Sequence, residues 1–222
     1  MSPLQLSIEI VLLTVHEGSL HVVMREREDG LFYLPGAFVQ RPTRLEHQAN
    51  SILMDQVGPV DVKVEQFHTF ADPGRDPRGW MASVGFLGTV QSAWILPHVG
   101  VSHEMQLIEV EVHDELAQPH LSLGGLSVRA GLDHDEIIVE AVRHLRRILD
   151  WSMLGFQLVP GYFTLLELQQ AHEAVLNRSL NKPLFRKRML ERIFSDGSKL
   201  KPTKYVRGGA HRPAKVFELA KP

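Results

Sequence analysis

The sequence predicts an α+β protein with two domains. Runs that alternate in hydrophobicity, such as "LSIEIVLLTV" and "WMASVGFLGTV", predict strands over most of the first half. Near residue 134 the period changes to that of a helix, in "LDHDEIIVEAVRHLRRIL". Charge divides in the same way, because residues 160–222 carry 13 Lys and Arg against 5 Asp and Glu, whereas the remainder carries 11 against 21. We therefore expect one domain over residues 1–155, including a linker helix at about 134–151, and a second over 156–222.

Composition excludes several classes of protein. The chain has 222 residues, of which 44% are hydrophobic and 23% charged, as is typical of a globular protein with a buried core. It has no cysteine, so it contains neither disulfides nor thiolate metal sites. No apolar run approaches the ~20 residues of a membrane span, and the strand-like N-terminus lacks the basic leader of a secretion signal. These features predict a cytoplasmic protein that does not bind membranes.

Turn signals divide the N-terminal domain into its elements. "HEGS" separates two strand-like runs as in a hairpin, and a Pro–Gly turn lies in "LPGAF". The helix predicted over Arg44–Val57 has apolar residues at helical spacing and is followed by Gly58, which is placed to end it. "VKVEQFHTF", "WMASVGFLGTV" and "QLIEVEVH" predict further strands, and "RDPRG" predicts a loop before the second of them.

The C-terminal half has the layout of a winged helix-turn-helix. Thr164 and Glu167 have capping-box spacing at the start of "FTLLELQQAHEAVL". Asn181 can cap a second, basic helix, "KPLFRKRMLERIF". Two short strands are expected at "KPTKYVR" and "AKVFEL", joined by "GGAHRP". A basic helix followed by a basic hairpin indicates binding to DNA, and a solvated basic tail is the alternative interpretation of the charge alone.

The second helix of this half is the predicted DNA-recognition helix. At ~100° per residue, Phe185, Met189 and Ile193 share one apolar arc. Arg188 falls on the opposite arc together with two further cations, whereas Arg186 falls on the apolar side. The predicted DNA contacts, in this helix and in or beside the wing, are Lys182, Arg186, Lys187, Arg188, Arg192, Lys204, Arg207 and Arg212.

Residues 34–59 resemble a Nudix box, the signature helix of a family of nucleotide pyrophosphatases. Carboxylates in that signature gather the divalent cations that hold a diphosphate and activate water. Aligned on Gly58, the acidic positions fall on Thr43, Ile52, Asp55 and Gln56, so one carboxylate remains. Positions 52, 55 and 56 are expected on one helix face. The resemblance implies a Nudix scaffold that does not hold its metal, so we predict no catalytic residue, no metal site and no cofactor.

The whole chain resembles the NrtR family, Nudix-related transcriptional regulators of NAD metabolism. The motifs that carry the resemblance, in family order, are "LPGAFV", "TFADPGRDPRG", "LDHDEII", "FTLLELQQAHEAVL", "LNKPLFRKRML" and "RPAKVFEL". It implies an N-terminal Nudix-like α/β/α sandwich fused to a C-terminal winged helix-turn-helix. It also implies a homodimer that binds ADP-ribose or a related nucleotide and represses genes of NAD biosynthesis or salvage. A dimer with two winged helices is expected to bind a palindromic operator in double-stranded DNA. Ala37, Pro183 and Leu184 depart from the family's usual residues.

The charged loop "RDPR" is the predicted ligand site. Guanidinium groups match phosphate oxygens, so Arg75 and Arg78, with Asp76 between them, suit a diphosphate and ribose hydroxyls. A surface ion-pair loop is the alternative interpretation. Arg25 and Phe32 are further candidate ligand contacts, and Phe32 fits the core equally well. Two other functions stay open: a residual nucleotide pyrophosphatase, and a regulator of the same architecture that senses a sugar or another metabolite.

Overall fold

The computed structural model describes residues 4–40, 42–100, 104–113, 115–116, 118–208 and 213–220. Contacts divide the chain into two compact units, Met1–His144 and Leu145–Pro222. The division lies within a helix, α3 (His134–Ile148), which corresponds to the predicted linker helix. The domain boundary after residue 155 therefore stays a prediction. Among the described residues, no helix has both the length and the apolar character needed to cross a membrane.

Within the described residues, the first unit is built on one sheet of nine strands. In chain order these are β1 (Gln5–His16), β2 (Ser19–Glu26), β3 (Phe32–Tyr33), β4 (Gly36–Phe38), β5 (Val64–Phe70), β6 (Met81–Thr89), β7 (Met105–Glu111), β8 (His120–Leu123) and β9 (Leu126–Val128). The main path is β5-β6-β1-β2-β7-β8-β9, with β3 paired to β2 and β4 paired to β1. The predicted strands are present. Four further strands, β3, β4, β8 and β9, are too short to produce a clear alternation.

Two inner strands of this sheet, β1 and β6, pair in parallel along nine residues. Every residue of β6 is buried, as expected for a strand that is covered on both faces. One helix, α1 (Leu45–Gln56), packs on the sheet because Ala49, Ile52 and Leu53 recur at helical spacing and join the core. A short helix, α2 (Ser92–Ile95), and a 3-10 turn (Leu96–His98) follow β6 and add Ile95 to the same core.

The second unit is a winged helix-turn-helix. Its described elements are α4 (Leu154–Gln157), β10 (Phe163–Thr164), α5 (Leu165–Leu176), α6 (Lys182–Glu191), β11 (Lys199–Arg207) and β12 (Ala214–Ala220). The strands form a sheet in the order β10-β12-β11, in which β11 and β12 are the wing hairpin. The predicted capping box is present, because the Thr164 hydroxyl accepts from the Glu167 N–H and the Glu167 carboxylate accepts from the Thr164 N–H. Asn181 caps α6 by accepting a 3.0 Å hydrogen bond from the Leu184 N–H.

An aromatic core holds the helices of the second unit in place. The Phe156 ring lies 4.6 Å from the Phe194 ring and 5.9 Å from the Phe163 ring. Phe185 and Met189 anchor α6, since both are almost fully buried and the Phe185 ring lies 5.2 Å from the His172 ring of α5. Each such side chain stabilises the folded state by about 1.5–3 kcal/mol through its removal from water. The basic helix is therefore held by its apolar side, and its other side is free for contacts.

Candidate functional site

A cavity of about 210 Å³ opens in the first unit beside β1, β4, β6, the loop before β6 and the start of α3. Gly36 is needed at this position, because a Cβ there would lie 2.7 Å from the Ile8 backbone oxygen, which cannot swing aside as a side chain can. Three arginines in the lining favour an anionic ligand. The lining residues are Ser7, Glu9, Arg27, Tyr33, Leu34, Gly36, Ala37, Phe38, Arg75, Asp76, Arg78, Ser83, Leu132 and His134.

Glu9 and His134 form an uncharged acid–base pair in this pocket, in which His134 is buried and the Glu9 side chain is 14% exposed. The His134 Nδ1 atom accepts a 2.9 Å hydrogen bond from the Leu34 N–H, which places the imidazole proton on Nε2. That Nε2 lies 4.0 Å from the Glu9 carboxyl. Burial, together with nearby arginines, lowers the pKa of His134 to about 3. Burial raises the pKa of Glu9 to about 8, although a Ser7 hydrogen bond opposes the shift. At neutral pH the contact is therefore not an ion pair.

Arg75 is fixed in the pocket by contacts within the protein. Its Nε and Nη2 atoms donate to the two Asp133 carboxylate oxygens at 2.7 and 2.9 Å, and its Nη1 donates to the Ser83 hydroxyl at 2.7 Å. The side chain is only 7% exposed. Three of its five N–H donors are thereby engaged. The structure places Arg75 in the lining, as the ligand prediction requires, and leaves it a minority of its donors for a ligand.

Arg78 is the more accessible arginine of the predicted loop. Its side chain is 55% exposed, although its Nη2 donates to the Asp76 carboxylate at 2.5 Å. Hydrogen bonding from Arg78 lowers the pKa of the Asp76 carboxyl below its usual range. The Arg78 guanidinium also lies 5.5 Å from the centre of the Phe38 ring, a residue that the sequence did not single out. Arg78 therefore presents a charged group to the pocket opening, with Asp76 holding its position.

Two of the five predicted ligand residues lie outside this pocket lining. Phe32 is 3% exposed and belongs to the core, which was the alternative reading of that residue. Arg25 borders a separate surface groove, and its Nη1 lies 3.1 Å from the Glu104 carboxylate. The sequence reasoning missed Glu9. Its signal was a carboxylate inside the apolar run "LSIEIVLL", where burial with the strand forces the group to find partners or to stay protonated.

The three Nudix-box positions on helix α1 have different surroundings. Ile52 is 5% exposed and packs in the core, whereas Asp55 is exposed to solvent. The Gln56 amide pairs with the backbone of Gly36: its Oε1 accepts from the Gly36 N–H at 3.2 Å and its Nε2 donates to the Gly36 carbonyl at 2.9 Å. Positions 52, 55 and 56 lie within one continuous helix and share a face, as expected, but that face turns Ile52 into the core. In the described part of the chain, no group of three His, Cys, Asp or Glu residues could hold a metal ion.

The helical wheel for the recognition helix is partly wrong because the helix ends early. Helix α6 stops at Glu191, and Arg192 is already extended. The Phe194 N–H donates to the Ser198 carbonyl at 3.0 Å. In a helix it would instead donate to the carbonyl four residues before it. Ile193 therefore lies beyond the end of the helix and is 59% exposed, although its position in the sequence fits the apolar helical spacing.

The shortened helix changes which cations face solvent. The buried arc of α6 centres on Phe185 and Met189, so Arg186 is exposed rather than on the apolar side. Arg188, predicted on the opposite arc, is half-buried, and its Nη1 lies 3.0 Å from the Asp150 carboxylate. The cations that α6 exposes are Lys182, Arg186 and Lys187.

The wing carries the remaining predicted DNA contacts. Lys204 is exposed, and its ammonium lies 5.6 Å from the centre of the Tyr205 ring. Arg207 is exposed too, but it donates to the Tyr162 carbonyl at 3.0 Å and pairs with the Glu167 carboxylate of the capping box. Arg212 lies outside the described residues.

Comparison with known proteins agrees with both units. Residues 155–219 match the family model described as the NrtR DNA-binding winged helix domain. NrtR of Shewanella oneidensis, solved alone and with a 27mer DNA, has a TM-score of 0.78 in both structures. The identities are 25% and 24%, and the alignments cover 97% of this chain and 94% and 93% of that one. The chain has the NrtR architecture. The predicted fold, a Nudix-like domain followed by a winged helix-turn-helix, is confirmed.

Two other relatives extend the comparison of this NrtR-like chain. A protein of Acinetobacter baylyi named "ADPR responsive transcriptional repressor NtrR" is 24% identical over 225 residues, which cover 99% of this chain and 83% of that protein. A MutT/nudix family protein from Enterococcus faecalis is 22% identical with a TM-score of 0.76, over 99% of this chain and 89% of that one. At this identity the second match shows the shared fold alone.

Proposed function

We propose that this NrtR-like chain is a transcriptional repressor whose DNA binding responds to ADP-ribose or a related nucleotide. The observation that carries the proposal is the presence, in one chain, of an arginine-lined pocket on a Nudix scaffold and a winged helix with an exposed basic face. The name of the Acinetobacter relative supports the same effector. Genes of NAD biosynthesis or salvage are the targets that the family resemblance implies.

The charge balance of the pocket supports an anionic effector. Three arginines line it, and Asp76 and Asp133 neutralise two of them. Glu9 adds no charge at neutral pH because its pKa is raised to about 8. A diphosphate would therefore meet a positive field, with the accessible Arg78 as its first partner. The two N–H donors of Arg75 that are not engaged within the protein remain for ribose hydroxyls.

We further propose that the Nudix domain does not hydrolyse its ligand. Hydrolysis by this scaffold needs several carboxylates to hold divalent cations. Ile52 is committed to the core and Gln56 to the Gly36 backbone, so neither position can supply an oxygen ligand without disturbing the fold. The exposed Asp55 alone would bind a hard cation weakly.

Calorimetry with Arg78→Ala tests the effector site. We expect ADP-ribose to bind the full chain, and Arg78→Ala to weaken binding about ten- to a hundredfold, since a hydrogen bond to a charged group is lost. Lys63→Ala is the matched control, because Lys63 is an exposed cation outside the pocket lining. ADP-ribose should also change the affinity of the wild-type chain for its operator.

Three results would redirect this proposal. Binding of a sugar, but of no NAD-related nucleotide, would favour the metabolite-sensor alternative. Hydrolysis of ADP-ribose with Mg²⁺ at the ~1 per second or more of ordinary enzymes would favour a pyrophosphatase. An Arg78→Ala variant with unchanged affinity would move the diphosphate away from this loop.

The same proposal includes a homodimer on a palindromic operator. Two winged helices related by a two-fold axis read half-sites about one or two helical turns apart. Light scattering of the free chain and of its operator complex tests this directly. A monomer in both states would overturn the dimer, and equal affinity for a single half-site would overturn the palindrome.

A further inference from the structure

Arg188 differs from the other cations of the recognition helix. Lys187, the residue before it, is exposed, and among the described residues it has no carboxylate within ion-pair distance. Arg188 is only 33% exposed and pairs with Asp150 at 3.0 Å. Its guanidinium carbon lies 5.8 Å from the centre of the Phe185 ring, and its Nε is buried without a hydrogen-bond partner in the described structure. The side chain therefore lies against its own domain.

Asp150 is the group that holds Arg188 there. It lies two residues beyond the end of α3 and is 32% exposed, so water screens the pair only partly. His172 is an ionisable side chain close to both members of the pair, and its ring packs 5.2 Å from the Phe185 ring. Burial lowers the pKa of His172 to about 4, so it carries no charge at neutral pH and does not compete for Asp150.

We propose that Asp150 is a positioning residue that restrains Arg188 and thereby lowers the intrinsic affinity of the winged helix for DNA. In this role Arg188 is not a DNA contact of the resting domain. The Asp150 carboxylate engages the Nη1 atom of Arg188, a donor that would otherwise be available to a DNA phosphate. The inference rests on the proposed DNA binding and adds to it a residue that sets its strength.

The restraint has a measurable salt signature. Each Lys or Arg that neutralises a phosphate releases counterions, and steepens the plot of log affinity against log salt by ~0.9. Freed from Asp150, Arg188 would add one such contact. The gain in affinity would then be roughly three- to fourfold greater at 50 mM than at 200 mM salt.

The test measures binding of random-sequence double-stranded DNA by the full chain. Asp150→Asn keeps the shape of the side chain and removes its charge; we expect tighter binding and a slope steeper by ~0.9. Removing a negative charge could also strengthen DNA binding without involving Arg188. Making the same change in an Arg188→Met background measures that general effect. Methionine keeps an apolar stem over Phe185 without the charge. In that background Asp150→Asn should leave affinity and slope unchanged.

Each possible result of this test leads to a different conclusion about Asp150. Unchanged or weaker binding by Asp150→Asn overturns the inference, and weaker binding would mean that Asp150 aims Arg188 at DNA. An equal gain in both backgrounds also overturns it, because the charge then acts without Arg188. Absence of low-salt binding by every variant and the wild type would instead defeat the proposed DNA-binding function. Thermal melts identify any variant that fails to fold, and Asp150→Ala then replaces Asp150→Asn.

Discussion

Arg75 in the pocket and Arg186 on the recognition helix are arginines in opposite environments. Arg75 in the pocket is 7% exposed and held by three hydrogen bonds, so its position is set before any ligand arrives. Arg186 on the recognition helix is exposed, and within the described residues no hydrogen bond or ion pair holds its side chain. A buried guanidinium gives geometric selectivity and is little screened by salt, whereas exposed cations give affinity that falls steeply with salt. The difference suits a pocket for one metabolite and a surface for a polyanion.

The largest expected effect comes from the buried acid of the pocket, through Glu9→Gln. The folded state keeps the Glu9 proton up to its pKa of about 8, whereas the unfolded chain loses it near the ordinary value of 4.5. The contribution of Glu9 to wild-type stability therefore falls as pH rises from 4.5 to about 8. Glutamine imitates the protonated acid and removes this loss. We expect Glu9→Gln to be more stable than wild type by on the order of 3–5 kcal/mol at pH 9, and about equal to it near pH 4.

Denaturant unfolding across this pH range checks the prediction. Glu28→Gln is the control, because Glu28 is exposed, and its difference from wild type should stay within about 0.5 kcal/mol. A Glu9→Gln variant whose advantage does not grow with pH would mean that Glu9 is ionised in the folded protein at neutral pH. The pocket would then be less positive, and the case for an anionic effector would weaken.

The next effect concerns Gln56, which aligns with an acidic position of the Nudix box and is bonded to the Gly36 backbone. In Gln56→Glu the carboxylate cannot donate to the Gly36 carbonyl and instead faces it, so we expect a loss of about 1–3 kcal/mol in unfolding free energy. We expect no Mg²⁺-dependent hydrolysis of ADP-ribose. Asp55→Asn, at the exposed neighbouring position, should change stability by less than about 0.5 kcal/mol. A fully stable Gln56→Glu variant that binds Mg²⁺ would show that this helix face still accepts metal.

Local patterns predicted the elements, and long-range pairs explain what they missed. The strands and the caps at Thr164 and Asn181 depend on residues close in sequence, and the structure has them. The site depends on partners far apart: Arg75 and Asp133 are 58 residues apart, and nothing local identifies them as a pair. The end of α6 was missed for a related reason, since the chain just beyond it bonds to a distant residue: the Ser195 N–H donates to the Trp151 carbonyl at 3.1 Å. Sequence alone therefore identified the charged loop but not the groups that hold it.

The smallest effects on stability are expected on the recognition helix, where they sharpen the contrast with the pocket. Arg186 and Lys187 are exposed, so replacing either by alanine should change the unfolding free energy by less than about 0.5 kcal/mol. Each change should nevertheless flatten the salt dependence of DNA binding by ~0.9, because one phosphate contact is lost. Lys63→Ala in the first unit should leave the slope unchanged.

Arg186→Ala also tests which side of α6 is buried. The helical wheel drawn from the sequence places Arg186 on the apolar side. On that side, its replacement would lower the unfolding free energy and leave the salt dependence of DNA binding unchanged. A destabilised Arg186→Ala variant with an unchanged slope would support the helix predicted from the sequence and contradict the shorter helix of the structure.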